Sequence, residues 1–524
     1  MRRVGVIAVV FAALVVAPPA GAGKLQVGRS TPGVVELMSL RAHAYALIQL
    51  PRGRRVPGAT LVSRRLGVWR LPAAHAERIA LGLHPLAVEA DRAVKPQRAA
   101  AEPFAGFEWW RAAVGADRVV PPGPGKRVTV IDSGLDVGHP EFAGRPNTTL
   151  LDAQSTIGAE DEAHGTAVSS VAAAPENGIG LVGIYPQAVL AEWDTGPMYV
   201  SDVIQGIEHA LDAGQSVINM SFGFDGYDRL LADELDVAFG SGSLVVAAAG
   251  NDYREGNARH SPAALPHVLT VAATDQQNHS SDFSNRSLAI DLAAPGENIP
   301  VAVPTWVSPS GYATADGTSF SAPLVAGAAA WVWTRRPELD VTQLFDLMRW
   351  SATDIGTPGF DEDSGWGLLN VPAALSRDAP AVDPGEPNDD VYEVVDGKLF
   401  RNAASPLTSP GHGSATLSAR LDVTEDPEDV YRVWVPARNR VAIRVTVSGD
   451  ADVELWNATT PSVLITGAVR RKHLLDGSGY DGDHPENVAF RNRTRRGTYV
   501  YLDVYLPEQG ASSSSYRATI TTAR

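Results

Sequence analysis

Between about residues 105 and 376, short apolar runs alternate with stretches of helical periodicity. RVTVIDSG (127–134), SVINMSFG (216–223), LVVAAAGN (244–251) and VLTVAAT (268–274) are the right length for buried strands. SDVIQGIEHALDAG (201–214) and the segment after Gly317 have the pattern of helices. This alternation predicts an α/β fold: parallel strands joined by crossover helices in a doubly wound, mostly parallel sheet. A smaller α/β unit precedes it. Strand-like Ala44–Leu50, Gly67–Pro72 and Leu86–Val94 surround a helical pattern at Ala73–Leu83. After residue 390 the pattern changes to period-2 alternation, as in DVYRVWVPA, RVAIRVTVSG, DVELWN, TYVYLDVYL and SYRATITT. No long helical pattern interrupts these runs, so an all-β sandwich domain is expected. The Pro-, Asp- and Glu-rich segment 377–390 reads as the linker between the two, and the Ala/Pro-rich stretch from Lys95 to Gly106 reads as an exposed connector.

Composition refines this division. With 524 residues, about three units are expected, and 44% hydrophobic with 20% charged residues is a globular balance. There is no cysteine, which excludes disulfides, thiolate nucleophiles and Cys-ligated metals. Arg2 and Arg3 precede an apolar run from Val4 to Ala17, and Ala20-Gly21-Ala22 fits a small-x-small cleavage pattern. Residues 1–22 therefore read as a secretory signal peptide, and the protein is expected outside the cell without stable membrane insertion. The net charge of −16 is unevenly spread: residues 1–110 balance to +9 and the remainder to −25. So acidic a body argues against nucleic acid as a partner. The basic leader suits docking on the acidic body.

Functional groups in open α/β sheets gather beyond the carboxyl ends of parallel strands. VTVIDSG delivers Asp132 there, VVAAAGN delivers Asn251, and VINMSFG delivers Ser221 with a glycine-bearing segment behind it. Two helical stretches begin with reactive residues, His164 in HGTAVSSVAAA and Ser319 in GTSFSAPLVAG. A serine hydroxyl is a weak nucleophile and needs a base, which His164 can provide near neutral pH. Asp132 would fix the imidazole tautomer. The Asn251 amide and the Ser319 backbone N–H would stabilise an oxyanion. Taken singly, each is also a turn or cap residue; it is their joint occurrence that points to nucleophilic chemistry.

Together, VIDSGLDVGHPEF, HGTAVSSVAA, VINMSFG, VVAAAGN and GTSFSAPLVAG resemble the signature segments of the subtilisin-like serine peptidases, the subtilases. The likeness runs from residue 105 to 376 and ends at GWGLLNVPAAL. It implies a secreted serine endopeptidase acting through an acyl-enzyme, with protein or peptide substrates. Asp132, His164 and Ser319 match the triad, and Asn251 matches the oxyanion-hole residue. Ser221, Phe222 and Gly223 match the segment that pairs with substrate backbone. Ser321 falls on a position without chemistry, as a helix-start residue. The histidine at 164 and asparagine, rather than aspartate, at 251 separate the chain from relatives with a Ser–Glu–Asp mechanism. Residues 23–104 resemble a diverged inhibitory pro-domain with its connector, so a self-processing monomeric zymogen is expected. EPNDD, DPEDVYRVWVPA and DVELWN resemble the pre-peptidase C-terminal type of β-sandwich, an accessory without catalysis. No cofactor is required by the resemblance. PENGIGLVGI (175–184) resembles a family loop that often wraps a structural calcium, with Glu141 and Asn177 on the matching side-chain positions. The acidic runs 160–164 and 476–487 lack EF-hand spacing and read as solvated loops. The rival readings are a non-catalytic binding protein on the same scaffold and a maturation peptidase or transpeptidase of narrow specificity.

Overall fold

A computed structural model describes residues 12–13, 44–51, 53–76, 78, 85–91, 102–152, 163–507 and 513–523. The expected signal peptide apart from residues 12–13, the connector up to residue 101 and the acidic run 160–162 lie outside the described residues. The chain divides into two compact units, residues 16–99 and the remainder.

The smaller unit is a four-stranded antiparallel sheet, with strands β1 (Tyr45–Gln49), β2 (Thr60–Ser63), β3 (Val68–Pro72) and β4 (Ala87–Ala90) in the order β2-β3-β1-β4. Ala46 and Ile48 alternate inward and pack with Leu71, Ala76 and Val88. Strand β2 is not apparent from sequence, because Leu61 and Val62 are both exposed and no apolar alternation marks it.

The larger unit is built on a seven-stranded parallel sheet. Its strands are β5 (Arg127–Asp132), β6 (Thr148–Leu150), β7 (Val189–Asp194), β8 (Ser216–Met220), β9 (Leu244–Ala248), β10 (Val268–Thr274) and β11 (Leu292–Pro295). The order β11-β10-β9-β8-β5-β7-β6 reverses direction of growth at β5 and β8, as a doubly wound sheet requires. β8, β9 and β10 are buried along their whole length, which is why they read as continuous apolar runs. Helices α1 (Ala163–Ala173) and α4 (Thr318–Arg335) pack on one side; α2 (Val200–Asp212) and α3 (Arg229–Gly240) contribute to the apolar cluster on the other. Every residue of α4 from Thr318 to Trp333 is buried. Gly327 allows α1 and α4 to approach: a Cβ there would lie 2.3 Å from Ile184 Cγ2 and 3.0 Å from the Ala172 carbonyl. Helix α5 (Val341–Trp350) starts at Asp340, whose carboxylate accepts the Gln343 N–H at 2.9 Å in a capping box.

Two four-stranded antiparallel sheets form the C-terminal sandwich. One contains β12 (Ser414–Asp422), β14 (Arg440–Ser448), β17 (Glu486–Arg491) and β19 (Ser513–Ala523). The other contains β13 (Glu428–Val435), β15 (Asp452–Asn457), β16 (Leu474–Ser478) and β18 (Thr498–Tyr505). In β14, Val441, Ile443 and Val445 point inward while Arg440 and Arg444 face solvent, which sets the register. The sandwich is joined to the sheet domain through charge. Arg420 of β12 makes a bidentate pair with the Asp346 carboxylate of α5 at 2.6 and 2.9 Å, and buried Arg349 of α5 meets Asp422 of β12 at 3.6 Å. Segment 377–390 is embedded at this seam, with Asp383 and Asn388 buried.

Candidate active site

Strand β5 ends at Asp132, fully buried, and its Oδ1 accepts from His164 Nδ1 at 2.8 Å and from the Ser133 N–H at 2.8 Å. His164 is in the first turn of α1. That turn sits close to β5 because residue 165 is glycine: a Cβ there would lie 2.3 Å from the Gly134 carbonyl. The Gly165 N–H donates to Ser133 Oγ at 3.1 Å, tying the two segments together. The contact to Asp132 fixes the proton on Nδ1, leaving Nε2 as the free acceptor, and Nε2 has no hydrogen-bond partner among the described residues. Burial alone would lower the imidazole pKa, but the Asp132 carboxylate outweighs it and holds the value above the usual histidine range.

Ser319 is the second residue of α4, and the His164 ring lies 6.0 Å from that of the adjacent Phe320. Its hydroxyl donates to the Ser221 carbonyl at 3.1 Å rather than to His164. In the first turn of a helix the N–H groups lack intrahelical acceptors, so the Ser319 amide is available to an anion. Asn251 follows β9, and its Oδ1 accepts from the Thr318 N–H at 2.9 Å and the Thr318 hydroxyl at 3.0 Å. With the oxygen anchored in this way, the Nδ2 amide is the end of the side chain left to donate. Two clusters therefore form: Asp132 with His164, and Ser221, Asn251 and Ser319 around the tip of α4. The Phe320 ring contact links them.

Ser321 lies at the start of α4, where a helix-start residue is expected. Its hydroxyl donates to the Ala294 and Pro295 carbonyls at 2.9 and 3.2 Å, pinning α4 to β11 instead of capping it. The helix cap is Gly317, with no side-chain bond. Phe222 is buried in the apolar cluster under α2 and α3, and Gly223 is exposed.

The structure brings Glu141 and Asn177 together, but as partners of each other. Asn177 Nδ2 donates to Glu141 Oε2 at 3.1 Å, and Asn177 Oδ1 is taken by the Ile179 N–H at 2.9 Å. Glu141 Oε1 accepts from the Leu181 N–H and the Tyr312 hydroxyl, both at 2.9 Å. The neighbouring amides of Gly178 and Gly180 point at Glu102, at 2.5 and 3.2 Å, and that of Val182 points at Glu108 at 2.5 Å. The loop therefore presents N–H donors inward, and its acceptors are already satisfied by them. These residues do not fit a calcium ion, which needs free oxygens around it.

Sequence reasoning missed Thr318, Asn219 and Glu192. Thr318 stands inside the GTS segment and orients Asn251. Asn219 Nδ2 donates to Ser221 Oγ at 3.0 Å. Glu192 is fully buried in β7, where burial and then the Asp132 charge push its pKa well up. A glutamate inside the otherwise apolar run VLAEW was the available signal.

The profile of the subtilase family matches residues 123–367. A subtilisin from Bacillus pumilus is 34% identical over 258 residues, covering 48% of this chain and 91% of its own length. This chain belongs to the subtilase family of serine peptidases. Subtilisin E from Bacillus subtilis (strain 168) is also 34% identical over 258 residues, and the chain spans 66% of its length. The minor extracellular protease Epr of the same organism is 30% identical over 336 residues, 63% of this chain and 50% of that one. In fold, the chain is similar to fervidolysin from Fervidobacterium pennivorans, with a TM-score of 0.50 at 20% identity over 89% of this chain and 86% of that one. No helix among the described residues is long and apolar enough to cross a membrane.

Proposed function

We propose that this subtilase is an exported endopeptidase that cuts peptide bonds through Asp132, His164 and Ser319. The observation that supports it most is the Asp132–His164 pair at 2.8 Å, with an unpartnered Nε2 beside the helix tip bearing Ser319. His164 Nε2 takes the Ser319 proton as Oγ bonds to the substrate carbonyl carbon. Asn251 Nδ2 and the Ser319 N–H hold the resulting oxyanion. The imidazolium returns its proton to the departing amine as the C–N bond breaks, leaving an acyl-enzyme. Water, deprotonated by the same imidazole, then releases the acid. Residues 221–223 suit an added substrate strand. The basic leader and its connector suit an inhibitory segment that the enzyme removes itself, so that the chain is made as a zymogen.

A fluorophosphonate probe and a peptide-library digest test the reading. The intact chain should be labelled and should cut many library members. Ser319→Ala should take no label, retain its leader and lose about a millionfold in turnover. Normal leader release by the Ser319→Ala chain would refute the mechanism.

A further inference from the structure

The sandwich sheet ordered β12-β19-β14-β17 turns one face to its partner sheet and the other outward. The outward positions of β14 from Arg440 to Thr446, of β17, and of β19 from Arg517 onward are Arg, Ala, Thr or Asn, and none is a carboxylate. Arg440 and Arg491 stand directly opposite each other in the β14–β17 pairing. Like charges so placed destabilise a sheet. The turn before β14 adds Arg438, and the loop after β17 adds Arg493, Arg495 and Arg496. With Arg444 and Arg517 these make eight arginines, all exposed, in a chain whose net charge is −16. No guanidinium among them forms an ion pair or a hydrogen bond with another described residue. Arg420, on β12 of the same sheet, instead binds Asp346 with both of its terminal nitrogens.

The two loops hold this charge in place. Asn492 is fully buried between them. Its N–H donates to the Asn439 carbonyl at 2.9 Å, and its Nδ2 donates to the Pro436 and Arg496 carbonyls at 3.1 and 2.8 Å. Its Oδ1 accepts the Thr494 N–H and hydroxyl at 3.0 and 2.8 Å. Arg438 has φ of 63°, in the left-handed region that favours glycine or asparagine. Backbone strain of this kind gathers at ligand sites. A strand rises about 3.4 Å per residue, so Arg440 and Arg444 are about 14 Å apart. Arg517 is opposite Thr446, two residues further along, so the stripe from Arg491 to Arg517 is about 20 Å long. Arg440 and Arg444 line a shallow concavity together with Asn487, Thr519 and Thr521. Asp476 also lines it, with its Oδ2 taken by the Ala489 N–H at 2.7 Å.

We propose that this arginine face binds a linear acidic polysaccharide, bearing carboxylate or sulfate groups, and tethers the peptidase domain to it. Guanidinium forks bind paired oxyanion oxygens, and they do so without the strong hydration of an ammonium. The threonine hydroxyls and the Asn487 amide between them can exchange hydrogen bonds with sugar hydroxyls. A stripe of this length suits an extended polymer, whereas a compact anion would meet only one pair of arginines. Single-stranded nucleic acid binds on aromatic platforms, and no outward position here is aromatic. A membrane-surface anchor inserts apolar side chains, and no large apolar residue is exposed in the two loops or at these outward positions.

The test uses the full chain carrying Ser319→Ala, so that it cannot digest itself. Binding to fluorescein-labelled chondroitin sulfate is followed by fluorescence polarisation, and unfolding midpoints are measured for every variant. Saturable binding is expected, weakening steeply as sodium chloride rises from about 50 to about 200 mM. Neutral dextran should not compete, and single-stranded DNA and phosphatidylserine vesicles should bind more weakly. Arg440→Gln, Arg493→Gln and Arg495→Gln together should weaken binding by on the order of 100-fold or more, since one charge-assisted contact is worth about tenfold. The midpoint should not fall, because the substitutions relieve repulsion. Arg118→Gln, at an exposed arginine of the peptidase domain, should leave binding unchanged. No binding by the parent chain at 50 mM salt overturns the proposal, whatever the variants do. So does undiminished binding by the triple variant, a lowered midpoint in it, or an equal loss in Arg118→Gln. Tighter binding of DNA or of vesicles overturns the assignment to a polysaccharide.

Discussion

In the proposed mechanism the Asn251 amide works only if it is aimed, and Thr318 is placed to aim it. Its hydroxyl donates to Asn251 Oδ1 at 3.0 Å and accepts the Gly250 N–H at 3.2 Å, while its own N–H holds the same Oδ1 at 2.9 Å. Thr318→Val keeps the shape and the backbone bond but removes the hydroxyl from both contacts. A neutral hydrogen bond is worth about 1 kcal/mol, so kcat should fall about fivefold, with KM unchanged because the oxyanion exists only after attack. Asn251→Ala, which removes the donor itself, should lower kcat by about 10² to 10³. Because Thr318 acts through Asn251, the double variant should be no slower than Asn251→Ala alone. The assay is steady-state hydrolysis of a chromogenic peptide, with unfolding midpoints measured for all four proteins. If Thr318→Val slows the Asn251→Ala enzyme by the same factor as the parent, or acts through KM alone, Thr318 does not orient the amide.

Two further outcomes follow from packing and charge. Gly327→Ala should destabilise the chain by about 1–3 kcal/mol, seen as a lower denaturant midpoint with unchanged slope, because its Cβ would meet Ile184 and the Ala172 carbonyl between two packed helices. Burial, with smaller contributions from Glu102 and Glu141, raises the Glu108 carboxyl from 4.5 to about 7 against the opposing Val182 N–H bond and Arg111. The folded state thus binds this proton more tightly than the unfolded chain. Its contribution is complete below about pH 4.5 and is lost as pH rises through about 7, at most about 3 kcal/mol at 1.36 kcal/mol per pH unit. Glu108→Gln retains an acceptor for Val182 and should flatten that part of the stability–pH curve, measured by urea unfolding of the Ser319→Ala chain.

What could be read in the sequence depended on how far apart the interacting groups lie along the chain. Strands β5, β8, β9 and β10 were legible because burial on both faces leaves a continuous apolar run, and Asp132 and Asn251 were legible because strand ends collect polar residues. Strand β12, SATLSARLD, was not, since small polar residues carry half of its alternation. Glu141 and Asn177 were correctly brought together, but sequence cannot show which way a peptide group turns. Here Leu181 points its N–H, not its carbonyl, at Glu141. The acidic seam was least visible of all, because its carboxylates come from positions 383, 386, 426 and 429, and only folding makes them neighbours.

The proline in GTSFSAPLVAG shows how one choice serves both helix and site. Pro323 has no N–H, so the helical bond it would have given to the Ser319 carbonyl is missing. Inside a buried helix that carbonyl needs another donor, and the Ser221 hydroxyl supplies it at 2.8 Å. Asn219 donates to the same Ser221 oxygen, so the hydroxyl's proton is directed towards residue 319. The Ser319 hydroxyl donates back to the Ser221 carbonyl at 3.1 Å. Ser319 is thus held to the end of β8 by its backbone and its side chain together. The segment suited to substrate backbone begins at Ser221, so the helix defect sets the position of the proposed nucleophile relative to the chain it would cut. A residue with an N–H at 323 would satisfy the Ser319 carbonyl within the helix, and the Ser221 hydroxyl would then be a second donor to it rather than the one it needs.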